Sequence, residues 1–242
     1  MQREGILAII VGTTFLGSFI QSVSGFGYAI IVMSVLPLFM SIQTSSVIEV
    51  FTSSVMVCVI ALRYWKKIRW KFIAIPLAAN AVFGYVGICI QSAAPEILLR
   101  RILGSCLILL SLWLMSSHAA RKILPWGAAG LLAGTLSGLM GGMMSIGGPP
   151  MVLYCLDVTD SKEEYTATLQ MYFFFSTLYL FLTHLFMGHI TPQVWGFGAA
   201  ALAGLGAGTA VGLKAFRKIR QNAFQKVVYG FMILAGIYML VS

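Results

Sequence analysis

Two long tracts of the chain, residues 123–156 and residues 165–213, contain no Asp, Glu, Lys or Arg. The hydrocarbon core of a bilayer is about 30 Å thick and needs about 20 apolar residues per helical crossing, so each tract can hold at least one crossing. The whole chain is 59% hydrophobic and only 10% charged, whereas soluble domains have roughly 25% charged residues. This pattern excludes a water-soluble enzyme and predicts an all-α polytopic membrane protein.

The net charge of +9 comes from Lys and Arg residues that lie mostly in short breaks between apolar tracts. One basic cluster occupies residues 63–71 and another occupies residues 214–226. Because Lys and Arg resist translocation, such clusters mark cytoplasmic loops and contact with the anionic inner leaflet. There is no soluble basic domain to carry nucleic-acid binding, so no nucleic-acid partner is expected.

The charged and turn-rich breaks divide the chain into two sets of four apolar segments. The first segment of each set is long and is interrupted by glycine near its middle, whereas the other three have single-span length. This order predicts an internal repeat, with one copy in residues 1–120 and the other in residues 121–242, together forming one transmembrane domain. The segments are 5–40, 44–62, 72–92 and 97–116, then 125–156, 165–186, 196–213 and 227–241.

Loop charge predicts the relative orientation of the two repeats. The break after the second segment is basic in the first half, at residues 63–71, but residues 187–195 of the second half contain no Lys or Arg. The break after the third segment has the opposite bias, with no basic residue before Arg100 in the first half and a basic cluster at residues 214–226 in the second. Under the positive-inside rule, this reversal predicts two repeats of inverted topology.

The same charges require segment 125–156 to begin and end on one side of the membrane. This length is short for two full crossings, so each repeat is expected to consist of a glycine-broken hairpin of two short or tilted helices plus three transmembrane helices. Arg3 precedes an apolar run that lacks a clear small-residue cleavage site. We therefore expect an uncleaved first span rather than a signal peptide.

The glycine breaks at the hairpin tips carry the strongest functional signal. Unwound backbone inside a membrane is tolerated only where it is buried in protein or lines a wet cavity. Two half-helix N-termini that face each other would form a positive, donor-rich pocket suited to an anion, and proline fits the first turn of such a helix. The predicted binding residues are Ser24, Gly25, Gly27 and Tyr28 at the first break, and Ser145, Gly147, Gly148 and Pro149 at the second.

Polar residues within the other spans add candidates. Asn80 in the third segment and Gln170 in the sixth are predicted to contact the substrate, with Tyr172 and Ser176 as further candidates near Gln170. Glu49 is an acid within a span, and an intramembrane carboxylate indicates a proton-coupling role unless it faces the aqueous boundary. His184 and His189 are close to the break at 187–195 and are expected at the interface rather than in a catalytic role.

Other glycines are predicted to serve helix packing. Small residues that recur every four positions let membrane helices approach closely. The alternative interpretation of the break glycines is that they serve only close packing, because glycine is common in membrane helices. The ridges hold more glycines than one small bundle needs, which indicates a homodimer. The two ridges are Gly130, Gly134, Gly138 and Gly142, then Gly204, Gly208 and Gly212.

No pattern of catalytic residues accompanies these features. The chain has no paired acids, no metal-spaced His cluster and no Ser–His arrangement, so we expect no enzyme activity, metal or cofactor. If the substrate is an anion, backbone dipoles and neutral donors must hold it, because no Lys or Arg lies in the middle of a span.

The second break resembles the signature of the TauE/SafE sulfite-exporter family. Residues 138–154, GLMGGMMSIGGPPMVLY, combine a glycine-rich break with Gly-Pro-Pro and an apolar run that ends in Tyr. Residues 24–30, SGFGYAI, followed by Pro37, form a similar first-half motif. The resemblance adds Phe26 and Pro150 to the candidate residues, and it includes no position that corresponds to Glu49.

The resemblance implies a secondary transporter of small sulfur-containing anions, such as sulfite or sulfoacetate, in the cytoplasmic membrane of a prokaryote. Alternating access would move the anion past the two breaks, with a proton or sodium ion as the coupling partner. A carrier of a carboxylate or another non-sulfur anion is the alternative within this class. A membrane scaffold that transports nothing is the alternative from another class.

Overall fold

A computed structural model of the chain describes residues 3–24, 27–63, 65–116, 126–215 and 221–241. These ranges contain α-helices, two 3₁₀ turns (Leu36–Leu38 and Trp65–Lys67) and no β-strand, which confirms the all-α prediction. The helices are α1 (Arg3–Ser24), α2 (Tyr28–Val35), α3 (Ile42–Arg63), α4 (Trp70–Ala93), α5 (Glu96–Met115), α6 (Trp126–Met144), α7 (Gly148–Val158), α8 (Lys162–Phe186), α9 (Pro192–Ala215) and α10 (Gln221–Val241).

Five helices within the described ranges are long and apolar enough to cross a membrane. Their apolar stretches have a mean hydropathy between 1.2 and 2.0. These helices agree with the multi-pass architecture that the charge-free tracts predict. The candidate spans are Glu4–Ser22, Trp70–Ala93, Trp126–Met144, Glu163–Phe186 and Pro192–Lys214.

The two broken segments differ from the predicted hairpins of two short helices. Each consists of one helix of spanning length followed by a short one: α1 has 22 residues and α2 has 8, whereas α6 has 19 and α7 has 11. At 1.5 Å per residue, the short helices extend only about 12–17 Å, which is roughly half a crossing. The division is uneven because the chain before each glycine break is already long enough to span, and a 3₁₀ turn at Pro37 or the loop at Thr159 soon ends the second helix.

The chain divides into two compact units, each of which contains residues from both sequence halves. The first unit comprises Met1–Glu49, Ala94–His118 and Ile190–Ser242. Within it α1 packs along α9, α5 packs along α10, and α2 contacts α1 and α10. The second unit comprises Val50–Ala93 and Ala119–His189, in which α4 packs along α6 and α7 contacts α6 and α8.

The order of long and short helices occurs twice, in α1–α5 and again in α6–α10. The packing follows the same order: α1 pairs with α9, and the equivalent helix α6 pairs with α4. An exchange of equivalent helices between two repeats produces this pairing. The inverted arrangement and the repeat boundary between residues 120 and 121 stay predictions.

Both glycine ridges pack against backbone, as predicted. A Cβ atom at Gly134 would lie 2.3 Å from the Pro76 carbonyl oxygen on α4, and one at Gly142 would lie 2.1 Å from the Gly84 carbonyl oxygen. The α9 ridge approaches α1 as closely, since a Cβ atom at Gly208 would lie 2.2 Å from the Phe15 carbonyl oxygen. Only glycine permits such contact between helix backbones, which confirms the packing prediction for these ridges.

Candidate functional site

The second break places a strained polar residue between α6 and α7. Ser145 has a φ of +55°, and among the described residues it is the non-glycine residue with a positive φ. Its N–H closes the end of α6 by donating to the Gly141 carbonyl at 2.8 Å. A left-handed backbone costs a non-glycine residue about 1–2 kcal/mol. The Ser145 hydroxyl is nevertheless buried and has no hydrogen-bond partner within the described part of the chain.

A chain of buried hydroxyls fixes the backbone of the break. The Tyr172 hydroxyl on α8 donates to Ser137 Oγ on α6 at 2.9 Å, and Ser137 in turn donates to the Gly147 carbonyl at 2.6 Å. Tyr172 is fully buried, and Ser137 is 2% exposed. Buried hydrogen bonds of this kind are strong in a low dielectric. The two bonds therefore connect α8, α6 and the start of α7 at the Gly147 carbonyl.

The two adjacent glycines of the break differ in the space available for a side chain. A Cβ atom at Gly147 would lie 2.4 Å from the Ser137 carbonyl oxygen, so that position accepts no side chain without a shift of the backbone. A Cβ atom at Gly148 would meet only the tip of the Phe173 ring, at 3.6 Å, which is ordinary van der Waals contact. Gly147 therefore permits a close backbone approach, whereas Gly148 leaves space beside the first turn of α7.

The first turn of α7 offers few backbone donors. Gly148 is its first residue, and Pro149 and Pro150 follow without N–H groups. The α7 N-terminus still carries the positive end of a helix dipole. Because two of its N–H groups are absent, side chains must supply most of the hydrogen bonds to an anion at this break, so the second break is poorer in backbone donors than a half-helix N-terminus usually is.

Asn80 provides such a donor beside the hydroxyl chain. Its side chain is 1% exposed, its Oδ1 accepts from Ser176 Oγ at 3.0 Å, and its Nδ2 has no partner among the described residues. Asn80 and Ser176 both lie next to the Tyr172 hydroxyl. The structure thus brings together Asn80, Tyr172 and Ser176, which the sequence had singled out, with Ser137 and the Gly147 carbonyl.

A groove of about 500 Å³ lies between α4 and α8, with Asn80 on its wall. Its wall is almost entirely carbon, and Asn80 is the amide on that wall. An anion would lose its hydration there and gain few donors in return, so the break is the better candidate for an anion site. The groove is lined by Trp70, Ile73, Ala74, Leu77, Asn80, Ala81, Phe175 and Tyr179.

Gln170 is buried on α8, but it does not join this cluster. Residues two apart on a helix point about 200° from each other, so Gln170 faces away from Tyr172. It shares a helix stripe with Phe181, eleven residues later, whose ring packs against Phe51 of α3 at a centroid distance of 5.4 Å. A substrate contact from Gln170 stays a prediction.

At the first break, a glycine and a glutamine side chain fix the backbone before α2. Gly27 precedes α2 with a φ of +113°, a conformation that requires glycine. Gln21 of α1 accepts the Tyr28 N–H at 3.0 Å through its Oε1, and Tyr28 itself is fully buried with its ring against Gly17. The predicted residues Gly25 and Phe26 lie outside the described residues, as does the side chain of Ser24.

The predicted pocket between the two breaks therefore remains a prediction. Ser24, Gly27 and Tyr28 belong to the first unit, and the candidate residues of the second break belong to the second unit. Each break is described by its own contacts.

Glu49 is buried on α3, seven residues after the helix begins at Ile42. The side chain is 1% exposed, and that depth corresponds to about 10 Å along the helix axis. Four hydroxyl residues of the same helix stripe are also buried: Ser45, Ser46, Thr52 and Ser53. A carboxyl group at a water-facing boundary would be more exposed than Glu49 is. Its proton-coupling role is untested and stays a prediction.

Two arginines at helix ends are already engaged in the structure. Arg100 donates to the carbonyls of Pro37 and Met40 and forms an ion pair with Glu96 at 3.3 Å. Arg69 forms ion pairs with Asp160 and Glu164. These cations hold loops in place, so the candidate site consists of neutral donors.

Sequence reasoning did not select Ser137 or Gln21. Gln21 is a polar side chain inside an apolar tract, seven residues before Tyr28, and that signal was readable. Ser137 lies within the small-residue ridge of α6, where a serine looks like any other packing residue. Its role depends on the approach of Gly147, ten residues later, which no local pattern predicts.

Comparison with known proteins agrees with this architecture. The family model described as sulfite exporter TauE/SafE matches residues 10–239, nearly the whole chain. No curated protein and no solved structure matches the chain. The match spans both glycine breaks, four of the five candidate spans completely and most of the first, and the chain therefore belongs to the TauE/SafE sulfite exporter family.

Proposed function

We propose that this member of a family of membrane transporters of sulfur-containing anions moves sulfite or a small sulfonate, such as sulfoacetate, across the cytoplasmic membrane of a prokaryote. The observation that carries the proposal is the second break, where the strained Ser145 hydroxyl is a buried donor without a partner in the described part of the chain. The buried polar cluster of Asn80, Tyr172 and Ser137 reaches the same break at the Gly147 carbonyl. Leaving a buried donor unpaired costs about 1–3 kcal/mol. A bound oxyanion would relieve that cost, because its oxygens accept several hydrogen bonds at once.

The chemistry of these donors favours an anion that is released again. Neutral hydroxyl and amide groups, together with the α7 helix dipole, stabilise an anion less than a buried arginine would. A transporter needs such a site, since an anion that is held too tightly leaves slowly. The division of the chain into two compact units supports alternating access, in which groups of helices move as rigid bodies.

Glu49 is proposed to carry the coupling proton. A buried carboxyl group in a membrane is costly when charged, and protonation relieves that cost. Its position among buried hydroxyl residues of α3 supports reversible protonation, because hydroxyls can hydrogen-bond either form of the carboxyl group. Sodium is the alternative coupling ion.

Anion-dependent stabilisation of the purified protein tests the proposed site. Sulfite and sulfoacetate should raise the melting temperature in detergent, since a ligand at 100 times its Kd adds about 2.7 kcal/mol to the stability of the folded state. Asn80→Leu should require at least tenfold more anion for the same increment, because it removes one donor to a charged ligand. Each variant is compared with its own anion-free melting temperature.

Ser111→Ala is the matched control for the loss of a buried polar group. Ser111 is fully buried on α5, and its hydroxyl is satisfied by the Leu107 carbonyl at 2.7 Å. Its anion response should equal that of the wild type. Equal stabilisation by acetate would indicate a carboxylate carrier, and no stabilisation by any of these anions would contradict the proposed site.

A further inference from the structure

The end of α8 brings two histidines together through a glycine. Gly188 follows the helix with a φ of +76°, its N–H donates to the Leu185 carbonyl at 3.1 Å, and the His189 N–H donates to the His184 carbonyl at 3.0 Å. This pair of bonds is the Schellman arrangement, which places the residue after the glycine against the last turn of the helix. An apolar contact usually fills that place, but here it is the contact of two imidazole rings.

The two rings are joined through nitrogen. His184 Nδ1 and His189 Nδ1 lie 2.9 Å apart, and the ring centroids lie 5.1 Å apart. Imidazole nitrogens at this distance form a hydrogen bond only when one carries a proton and the other accepts it. His184 is 1% exposed and His189, within residues 187–195, is half-buried, while their expected position at the membrane interface stays a prediction.

The titratable groups on the helices that pack against α8 are few. Helix α3, which contacts α8, carries Glu49. Ser92 from the end of α4 lies 3.5 Å from His189 Nε2. The last three turns of α4 offer only Tyr85 and Cys89 as titratable groups, α8 adds Tyr179, and α6 has none. Residues 187–195 contain no Asp, Glu, Lys or Arg. A proton bound by the pair would therefore place a positive charge on these two rings.

The geometry limits the pair to one added proton. Burial lowers the pKa of His189 below its ordinary value, because the charged imidazole loses hydration. A hydrogen bond from a charged imidazole to the neutral one acts in the opposite direction, since charge-assisted bonds are strong. A second proton would place two N–H groups of like charge against each other at 2.9 Å, which the shared bond cannot accommodate.

We propose that His184 and His189 form a proton-binding site that takes up one proton at a ring Nε2 while the two Nδ1 atoms keep their single hydrogen bond, and that this proton makes anion transport depend on pH. The proton comes from water at His189 and returns there, and no bond other than N–H forms or breaks. Eight residues of α8, or about 12 Å, separate His184 from Ser176 of the candidate anion cluster. A positive charge at that distance attracts an anion without binding it directly. The transport part rests on the proposed function.

Nitrogen NMR of the purified protein labelled with ¹⁵N-histidine tests the site without transport. The chain has three histidines, and His118→Gln leaves the signals of the pair alone. We expect a through-hydrogen-bond coupling between the two Nδ1 atoms and titration of both rings at one shared midpoint. His184→Gln should then shift the midpoint of His189. Separate midpoints that do not respond to the other residue's substitution would overturn the proposal.

Two substitutions at Gly188 distinguish loss of the histidine contact from a general loss of folding. Asn tolerates a left-handed backbone and should preserve the coupling, whereas Val should abolish it, because a β-branched residue is strained at positive φ. A Cβ atom at Gly188 meets nothing within 4 Å, so neither side chain clashes. Loss of the coupling in Gly188→Asn as well would contradict the role assigned to the turn.

Sulfite uptake into proteoliposomes at a series of pH values tests the transport part. With the same pH on both sides of the membrane, so that Glu49 experiences no proton gradient, uptake by the wild type should rise as the pH falls, because the charged pair attracts the anion. His189→Gln should lose that rise while retaining uptake at neutral pH. An unchanged pH profile would overturn the transport part even where NMR establishes the proton site. If the wild type moves no anion at any pH, the proposed function fails, and the NMR result on the proton site stands separately.

Discussion

Ser145 combines two features that a packing residue would avoid. Its backbone is left-handed and its buried hydroxyl has no partner among the described residues, although the chain uses glycine at 25 other positions. Backbone strain that packing does not require indicates that a residue has a functional role. The retention of serine where glycine would be more stable therefore supports an anion contact at this position.

Ser145→Gly should stabilise the protein and weaken its response to anions. It removes about 1–2 kcal/mol of backbone strain and an unpaired hydroxyl, while glycine costs about 0.5–1 kcal/mol through the flexibility of the unfolded chain. The melting temperature should rise by a few degrees, and sulfite should raise it further by less than it does in the wild type. A loss of stability would contradict the reading of Ser145 as a strained residue.

Gly147 and Gly148 form a second matched pair of substitutions. Gly147→Ala forces a Cβ atom to 2.4 Å from the Ser137 carbonyl oxygen and should cost at least about 1–3 kcal/mol through overpacking. Gly148→Ala meets only the Phe173 ring at 3.6 Å and should leave folding unchanged. Thermal unfolding in detergent measures both. Equal destabilisation would show that α7 does not begin as described.

At the scale of the helices, close backbone packing carries the structure of each unit. The α6 ridge lies on α4 at Pro76 and Gly84, and the α9 ridge lies on α1. In a membrane the hydrophobic effect does not drive helices together, so van der Waals contact across such ridges supplies much of the association. Pro76 fits inside α4 because Gly134 opposite leaves room for its backbone.

Gly142→Ala should separate α6 from α4, whereas Gly206→Ala should not disturb α9. A Cβ atom at Gly142 would lie 2.1 Å from the Gly84 carbonyl oxygen, but nothing lies within 4 Å of one at Gly206. The first substitution should cost at least about 1–3 kcal/mol, and the second should stabilise its helix by up to about 1 kcal/mol. The melting temperatures of the two variants, each compared with the wild type, test this expectation. A Gly142→Ala variant as stable as the wild type would contradict the close α4–α6 packing.

The helices were predictable in position but not in partnership. Loop charges and glycine breaks delimit the eight segments, because both features are local in the sequence. The pairing of α1 with α9 and of α6 with α4 was not readable, since a glycine ridge indicates a close neighbour without identifying it. The uneven division of segments 5–40 and 125–156 was also not predicted. The glycines and prolines locate each break, but the number of apolar residues before the break decides whether the first helix spans the membrane.

The candidate site also contains residues that local sequence patterns predict and residues that only the tertiary structure reveals. Asn80, Ser145 and Gly147 were predicted because polar residues and glycines stand out in an apolar tract. Ser137 was missed because its function comes from a tertiary contact with Gly147. The anion itself follows from family membership together with neutral buried donors, and neither observation distinguishes sulfite from a sulfonate.

For the whole molecule, Glu49 is the residue proposed to link the transport cycle to the membrane's proton gradient. Glu49→Gln keeps the size and hydrogen-bonding capacity of the side chain but cannot release a proton. Sulfite flux down its own gradient should persist in this variant, whereas acceleration by a pH gradient should disappear. Thr177→Val, which removes a hydroxyl satisfied within α8, serves as the control. Full acceleration in Glu49→Gln would transfer the coupling role to another group.

The central claim is transport of a sulfur oxyanion, and flux into proteoliposomes that contain the purified protein tests it most directly. Sulfite and sulfoacetate should show saturable uptake that exceeds the uptake of acetate and sulfate, both with and without a pH gradient. Equal uptake of acetate would contradict specificity for sulfur-containing anions. Absence of flux for all four anions, from protein that remains folded, would contradict the assignment as a transporter of these compounds.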